Sequence, residues 1–188
     1  MEYLVTMTIQ IPDGTSEAAV QDIRIREAAR LRELAAQGHL LRLWRPPLQP
    51  GEWRTLGLFA ADDDAQLEKV LASMPLRVWR TDEATPLSPH PHDPARSAEP
   101  PWPPTAEAGN KAAEFLTTFT VTVPASTPSQ AVEDIYAREA DRSRELAGQG
   151  HLVRLWALPG QRRRWACGGP GTWPRCRRSS SRCRWMRG

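Results

Sequence analysis

The chain has 188 residues, 40% of them hydrophobic, 7% aromatic and 25% charged, with a formal net charge of +3. This suits one medium or two small globular domains; with no apolar run near the ~20 residues of a membrane span and no secretory signal at Met1-Glu2-Tyr3-Leu4, it reads as cytoplasmic with no membrane partner. The charge is unevenly spread: residues 162–188 hold nine arginines, all three cysteines and no acid, leaving 16 basic against 22 acidic residues and −6 over positions 1–161, so a nucleic-acid partner would rest on the tail alone and none is expected.

Tyr3 to Ile11 alternates apolar and polar residues with β-branched enrichment and predicts a strand. Pro12-Asp13-Gly14 predicts a turn. Ser16 and Glu17 predict the start of a helix reaching about Gln37, where Gly38 stops it. Leu40 to Trp44 reads as a second strand and Trp53 to Phe59 as a third. The acidic run Ala61-Asp62-Asp63-Asp64 caps a second helix through about Ser73, and Pro75 to Thr85 gives a fourth strand. This βαββαβ order predicts a ferredoxin-like α+β sandwich. The uncovered sheet face predicts dimerisation.

Glu2 to Pro47 recurs at Glu114 to Pro159 with a constant offset of 112, about 26 of 46 positions being identical. That period is far above those of stacking repeats and marks tandem duplication of a domain. The predicted organisation is a first domain over 1–92, a linker over 93–113, a partial second repeat over 114–160 and a tail over 161–188. Eight prolines between Pro86 and Pro104 predict a stiff, extended spacer without helix or central strand.

After Pro159 the likeness between the copies fades. The tail has no Leu, Ile or Val and is predicted to be disordered. Its cysteines at 167, 176 and 183 lack the paired spacing of zinc sites, so no metal is expected. Codon degeneracy suggests a frameshift. Residues 164–185, back-translated into permitted GC-rich codons and read in the alternative frame, can spell LGLWRAGDLAEMQAVLVALPL. That string resembles Leu56-Gly57-Leu58-Phe59, the second helix and Met74-Pro75-Leu76 of the first copy.

Chemistry points to the first helix. At 100° per residue Val20, Ile23, Leu31 and Leu34 fall within an arc of about 80°, and Glu27 falls inside it. The second copy repeats the pattern with Val132, Ile135, Glu139 and Leu146. A buried carboxylate costs several kcal/mol unless it is paired or protonated. Glu27 is therefore either an ion-pair partner of Arg24 or Arg30, at i,i+3 spacing, or a general base in an apolar cleft. Arg42 and Trp44 share one face of the second strand and form either a carboxylate clamp or a solvated face. His39, just after the helix, reads first as a cap. No dinucleotide, P-loop, zincin or nucleophile-elbow motif occurs, so no cofactor is expected.

Val5-Thr6-Met7, Pro12, Ile23-Arg24-Ile25-Arg26-Glu27, Gly38, Leu43-Trp44-Arg45, Leu76 after Met74-Pro75, Thr85-Pro86-Leu87 and His90-Pro91 follow one another in a set order and spacing. On these residues the first copy, over about residues 2–92, resembles the muconolactone Δ-isomerase family. It implies a cofactor-free enzyme of the β-ketoadipate pathway of aromatic catabolism. Such an enzyme shifts a ring double bond of a carboxylated lactone by 1,3-proton transfer and assembles into closed homo-oligomers. Glu27 would be the base, with Arg26, Arg42 and Arg45 as anion-site candidates and Trp44 and His39 beside them. Arg138, Glu139, Arg154 and Trp156 would be the second-copy equivalents, with Ala157 in place of Arg45. The alternative is a non-catalytic ferredoxin-like module that binds a small acidic ligand. A third reading is a decaying gene, suggested by the broken second copy.

Overall fold

The computed structural model describes residues 1–49, 51–96, 114–158 and 163–168. The chain divides into two compact units, Met1–Leu87 and Ser88–Gly188, so the physical boundary falls five residues before the expected end of the first domain at 92.

The first unit runs β1 (Glu2–Ile9), α1 (Glu17–Ala36), β2 (Leu40–Trp44), β3 (Arg54–Ala60), α2 (Asp64–Ala72), a 3-10 turn (Pro75–Trp79) and β4 (Arg80–Pro89). Its antiparallel sheet has the order β2-β3-β1-β4, the ferredoxin-like arrangement expected from the sequence. Local chemistry sets the helix ends. Ser16 Oγ accepts from the Ala19 amide at 3.3 Å, and Gly38 takes φ +77°, letting the chain turn back so that the His39 amide donates to Leu34 O at 2.9 Å. At α2, Asp63 Oδ1 accepts from the Gln66 amide at 2.7 Å while Gln66 Oε1 accepts from the Asp62 amide. The core lies between sheet and helices: Tyr3, Val5 and Met7 of β1 and Phe59 of β3 meet Leu34 of α1 and Leu67, Val70 and Leu71 of α2. Each such side chain contributes roughly 1.5–3 kcal/mol on leaving water.

Two expectations need correction here. The fourth strand does not begin at Pro75: Pro75–Trp79 forms the 3-10 turn, with the Arg77 amide donating to Met74 O at 3.0 Å. Proline at the first turn sacrifices no bond there. Nor do prolines end the strand, because β4 passes through Pro86 to Pro89. In an antiparallel ladder alternate amides point away from a given neighbour, and Arg80–Leu87 pair on one side only, with β1.

The second unit repeats the order with β5 (Phe115–Thr120), α3 (Ser129–Gly148), β6 (Arg154–Ala157) and β7 (Arg163–Gly168). Its ladder is β6-β7-β5, matching β2-β3-β1, and Ser88 and Pro89 pair with Ala157 and Trp156 on the free side of β6. The tail, expected to be disordered from 161, thus supplies a strand. Backbone pairing asks little of side chains, so a run poor in aliphatics still completes a ladder between two existing edges. Trp156 pairs with Trp165, nine positions on, whereas Trp44 pairs with Leu56, twelve on; the connection is three residues shorter than in the first unit. Most of the expected linker, 97–113, and the tail beyond 168 lie outside the described residues. Among the described residues no helix is long and apolar enough to cross a membrane.

Candidate active site

The buried residues of α1 are Ile23, Glu27 and Leu34, so the helix does aim a carboxylate inward, and Glu27 is only 6% exposed. Its Oε2 accepts from the Leu76 amide at 2.9 Å. That amide sits in the first turn of the 3-10 segment, where an N–H has no partner within the turn. Its Oε1 lies 3.4 Å from Arg80 Nη1. The ion pair is therefore made across the fold, not along the helix. Arg30 instead binds Ser73 Oγ and Glu33, and Arg24 stacks its guanidinium over Trp53 at 4.4 Å. Burial pushes the Glu27 carboxyl above the ordinary carboxylate range; the Leu76 amide and the Arg80 charge pull it down, and Asp82 adds to the rise.

Glu27 lines a cleft of about 440 Å³. Apolar walls come from Met7, Ile9, Leu31, Leu43, Trp53 and Leu76, and Arg24, Arg45, Arg54 and Arg80 supply four cations against this single carboxylate. Such a pocket has one base at an apolar wall and donors for an anionic ligand, the requirements of proton transfer next to a carbonyl.

Of the residues singled out from sequence, Glu27 and Arg45 line this cleft, and Arg26, His39, Arg42 and Trp44 do not. Arg26 is exposed and holds Asp22 at 3.0 Å, one turn back on the outer face of α1. His39 Nδ1 lies 3.2 Å from Ala60 O, tying the helix end to β3. A bulge between Leu40 and Arg42 turns Leu43, opposite Gly57, to the helix side, and sends Arg42 and Trp44 to the other face opposite Leu58 and Leu56. Arg24, Trp53, Arg54 and Arg80 were not named as site residues. For Trp53 and Arg54 the signal was position, since both stand at the start of the third strand, where the chain enters the sheet beside the cleft.

In the second unit Glu139 is half-buried, and the described residues include no counterpart of Leu76 and Arg80 beside it. Ile135, expected on the inward stripe, is 51% exposed. Arg138 is exposed, its Nε donating to Asp134 O at 3.3 Å. Arg154 and Trp156 are buried with the guanidinium 4.8 Å from the ring, and Asp93 Oδ2 lies 3.2 Å from Arg154 Nε. Asp93 Oδ1 also accepts from the Leu155 amide at 3.0 Å. These residues tie the unit together. Among the described residues no three His, Cys, Asp or Glu side chains cluster as a metal site.

The family profile described as "Muconolactone delta-isomerase" matches residues 1–93 and 113–167, following both repeats and running into β7. Muconolactone Delta-isomerase 1 of Acinetobacter lwoffii is 31% identical over 91 residues, 48% of this chain and 92% of that protein. The muconolactone Delta-isomerase of Cupriavidus pinatubonensis is also 31% identical over 91 residues, covering 96% of its length. A crystal structure of muconolactone isomerase aligns with TM-score 0.43 and 24% identity over 48% of this chain and 92% of that one. One of a putative monooxygenase from Lactobacillus acidophilus NCFM aligns with TM-score 0.47 and 9% identity over 89% of this chain and 76% of that one. With both repeats matched by one family profile, and the first folded as its βαββαβ order demands, the chain belongs to the muconolactone delta-isomerase family.

Proposed function

We propose that this protein is a cofactor-independent isomerase that moves a ring double bond by 1,3-proton transfer in muconolactone or a similarly carboxylated lactone, with Glu27 as the base. The observation that carries the reading is a single buried carboxylate, its pKa raised by burial, in an apolar cleft rimmed by arginines. The Glu27 carboxylate takes the proton from the ring carbon next to the double bond, leaving a dienolate conjugated with the lactone carbonyl. The same carboxyl returns it at the other end of the conjugated system, so the double bond shifts and no atom is gained or lost. Arg24 and Arg45 at the rim suit the substrate carboxylate, and Arg54 the developing oxyanion. The protein would act as a homo-oligomer. The competing reading, a binding module in which Glu27 only pairs with Arg80, draws on their 3.4 Å contact.

Glu27→Gln separates the two. In the full chain, with muconolactone loss followed by ultraviolet absorbance or proton NMR, the variant is expected to lose at least about 100-fold in kcat, the range for removing a general base, while retaining its fold. Turnover close to wild type would assign Glu27 to structure alone.

A further inference from the structure

Arg80 is shared unequally between two acids. Asp82 faces it with both oxygens, Oδ1 at 2.6 Å from Nε and Oδ2 at 2.9 Å from Nη2, while Glu27 meets only Nη1, at 3.4 Å. The Arg80 and Asp82 side chains are 1% and 5% exposed, so water screens little of this. Asp82 Oδ2 is held in turn by Arg77 Nη1, and Arg77 Nη2 reaches Glu68 Oε1 at 2.7 Å on α2. A row of alternating charges thus runs from the exposed Glu68 to the cleft. A guanidinium given wholly to Glu27 would fix it as the anion of an ion pair, which is a weak base. One faced along its Nε–Nη2 edge by both oxygens of Asp82 still orients the carboxyl but brings it little net charge.

We infer that Asp82 is a positioning residue for proton transfer by Glu27: it holds Arg80 in place and offsets its charge, so that Glu27 is steered without being locked as an anion. The inference rests on the reading of Glu27 as the base. The other charged groups facing Glu27 are Arg24 on its own helix, Arg54 on β3 and Arg45 from the β2–β3 connection; from the 3-10 turn Arg77 is directed to Asp82, and β4 supplies Arg80 and Asp82 themselves.

The test uses the full chain with ¹³C-labelled glutamate carboxyls, the Glu27 resonance being the one lost in Glu27→Gln, alongside pH profiles of kcat and KM. Asp82→Asn exposes Glu27 to the whole Arg80 charge. Its titration and the acidic limb of the profile are expected to move down by about one pH unit, and kcat to fall about tenfold with KM within about twofold. Arg77→Met, at a side chain one-third exposed, leaves Asp82 more fully to Arg80 and moves both upward. A merely structural role would lower stability in both variants and leave the titration where it was, which would overturn the inference. A shifted titration in a protein whose wild type turns nothing over would instead overturn the reading of Glu27 as base, and with it the part given to Asp82.

Discussion

Glu27 carries a conflict that is measurable in the pH dependence of stability. Its folded pKa lies above the unfolded one, because burial outweighs the Leu76 amide and Arg80. Between the two values the native state binds more protons than the unfolded chain, so stability falls as pH rises through that window and levels off above it. Glutamine keeps an acceptor for the Leu76 amide without the charge. The melting temperature of Glu27→Gln, relative to wild type, is therefore expected to rise as pH climbs from below the ordinary carboxylate range past the raised value; a flat or falling difference contradicts this. The inward aim of Glu27 was legible because helical periodicity fixes which residues share a stripe. Its partner was not. Spacing rules along a helix see Arg24 and Arg30, whereas Arg80 lies 53 positions away and meets Glu27 only after β4 has paired with β1.

Among the elements, those with local punctuation were readable from sequence: both helices of the first unit begin and end where their caps and Gly38 require. Faces were harder. One bulged residue in β2 decides whether Arg42 or Arg45 turns to the cleft, and nothing in Leu-Leu-Arg-Leu-Trp announces it. The strand opposite offers a sharper test. A Cβ on Gly57 would stand 2.4 Å from Phe59 Cε2 and 3.1 Å from Met7 Cε. In the second unit the corresponding site holds Ala166 without difficulty, because Gly168 stands opposite Phe115 as Phe59 stands opposite Tyr3. Gly57→Ala is expected to cost about 1–3 kcal/mol in urea unfolding, the range for overpacking a filled core. A cost near zero would mean that the Phe59 ring moves aside freely.

For the molecule as a whole, duplication was plain from the constant offset, and the fate of the second copy was not. The register of β7 puts Trp165, Ala166 and Cys167 where the first copy has Leu56, Gly57 and Leu58. With permitted codons the alternative frame can read Leu-Gly-Leu over these positions, and on this we base our reading of the tail as a frameshift. The coding sequence is expected to show it, and a single-base correction near codons 159–163 should add circular-dichroism signal for one further helix the size of α2; a gene whose alternative frame spells anything else ends the idea.

Asp93 closes the first stretch matched by the family profile but belongs to the second unit by structure, where it binds Arg154 and the Leu155 amide. Any scheme that divides the chain at its prolines therefore cuts through a folded body. A piece beginning at Glu114 would lack the carboxylate that anchors its buried arginine, and removing one member of such a pair typically costs 3–5 kcal/mol. The duplicate is best regarded as a tenant of its neighbour's last residues, inheritable only together with them.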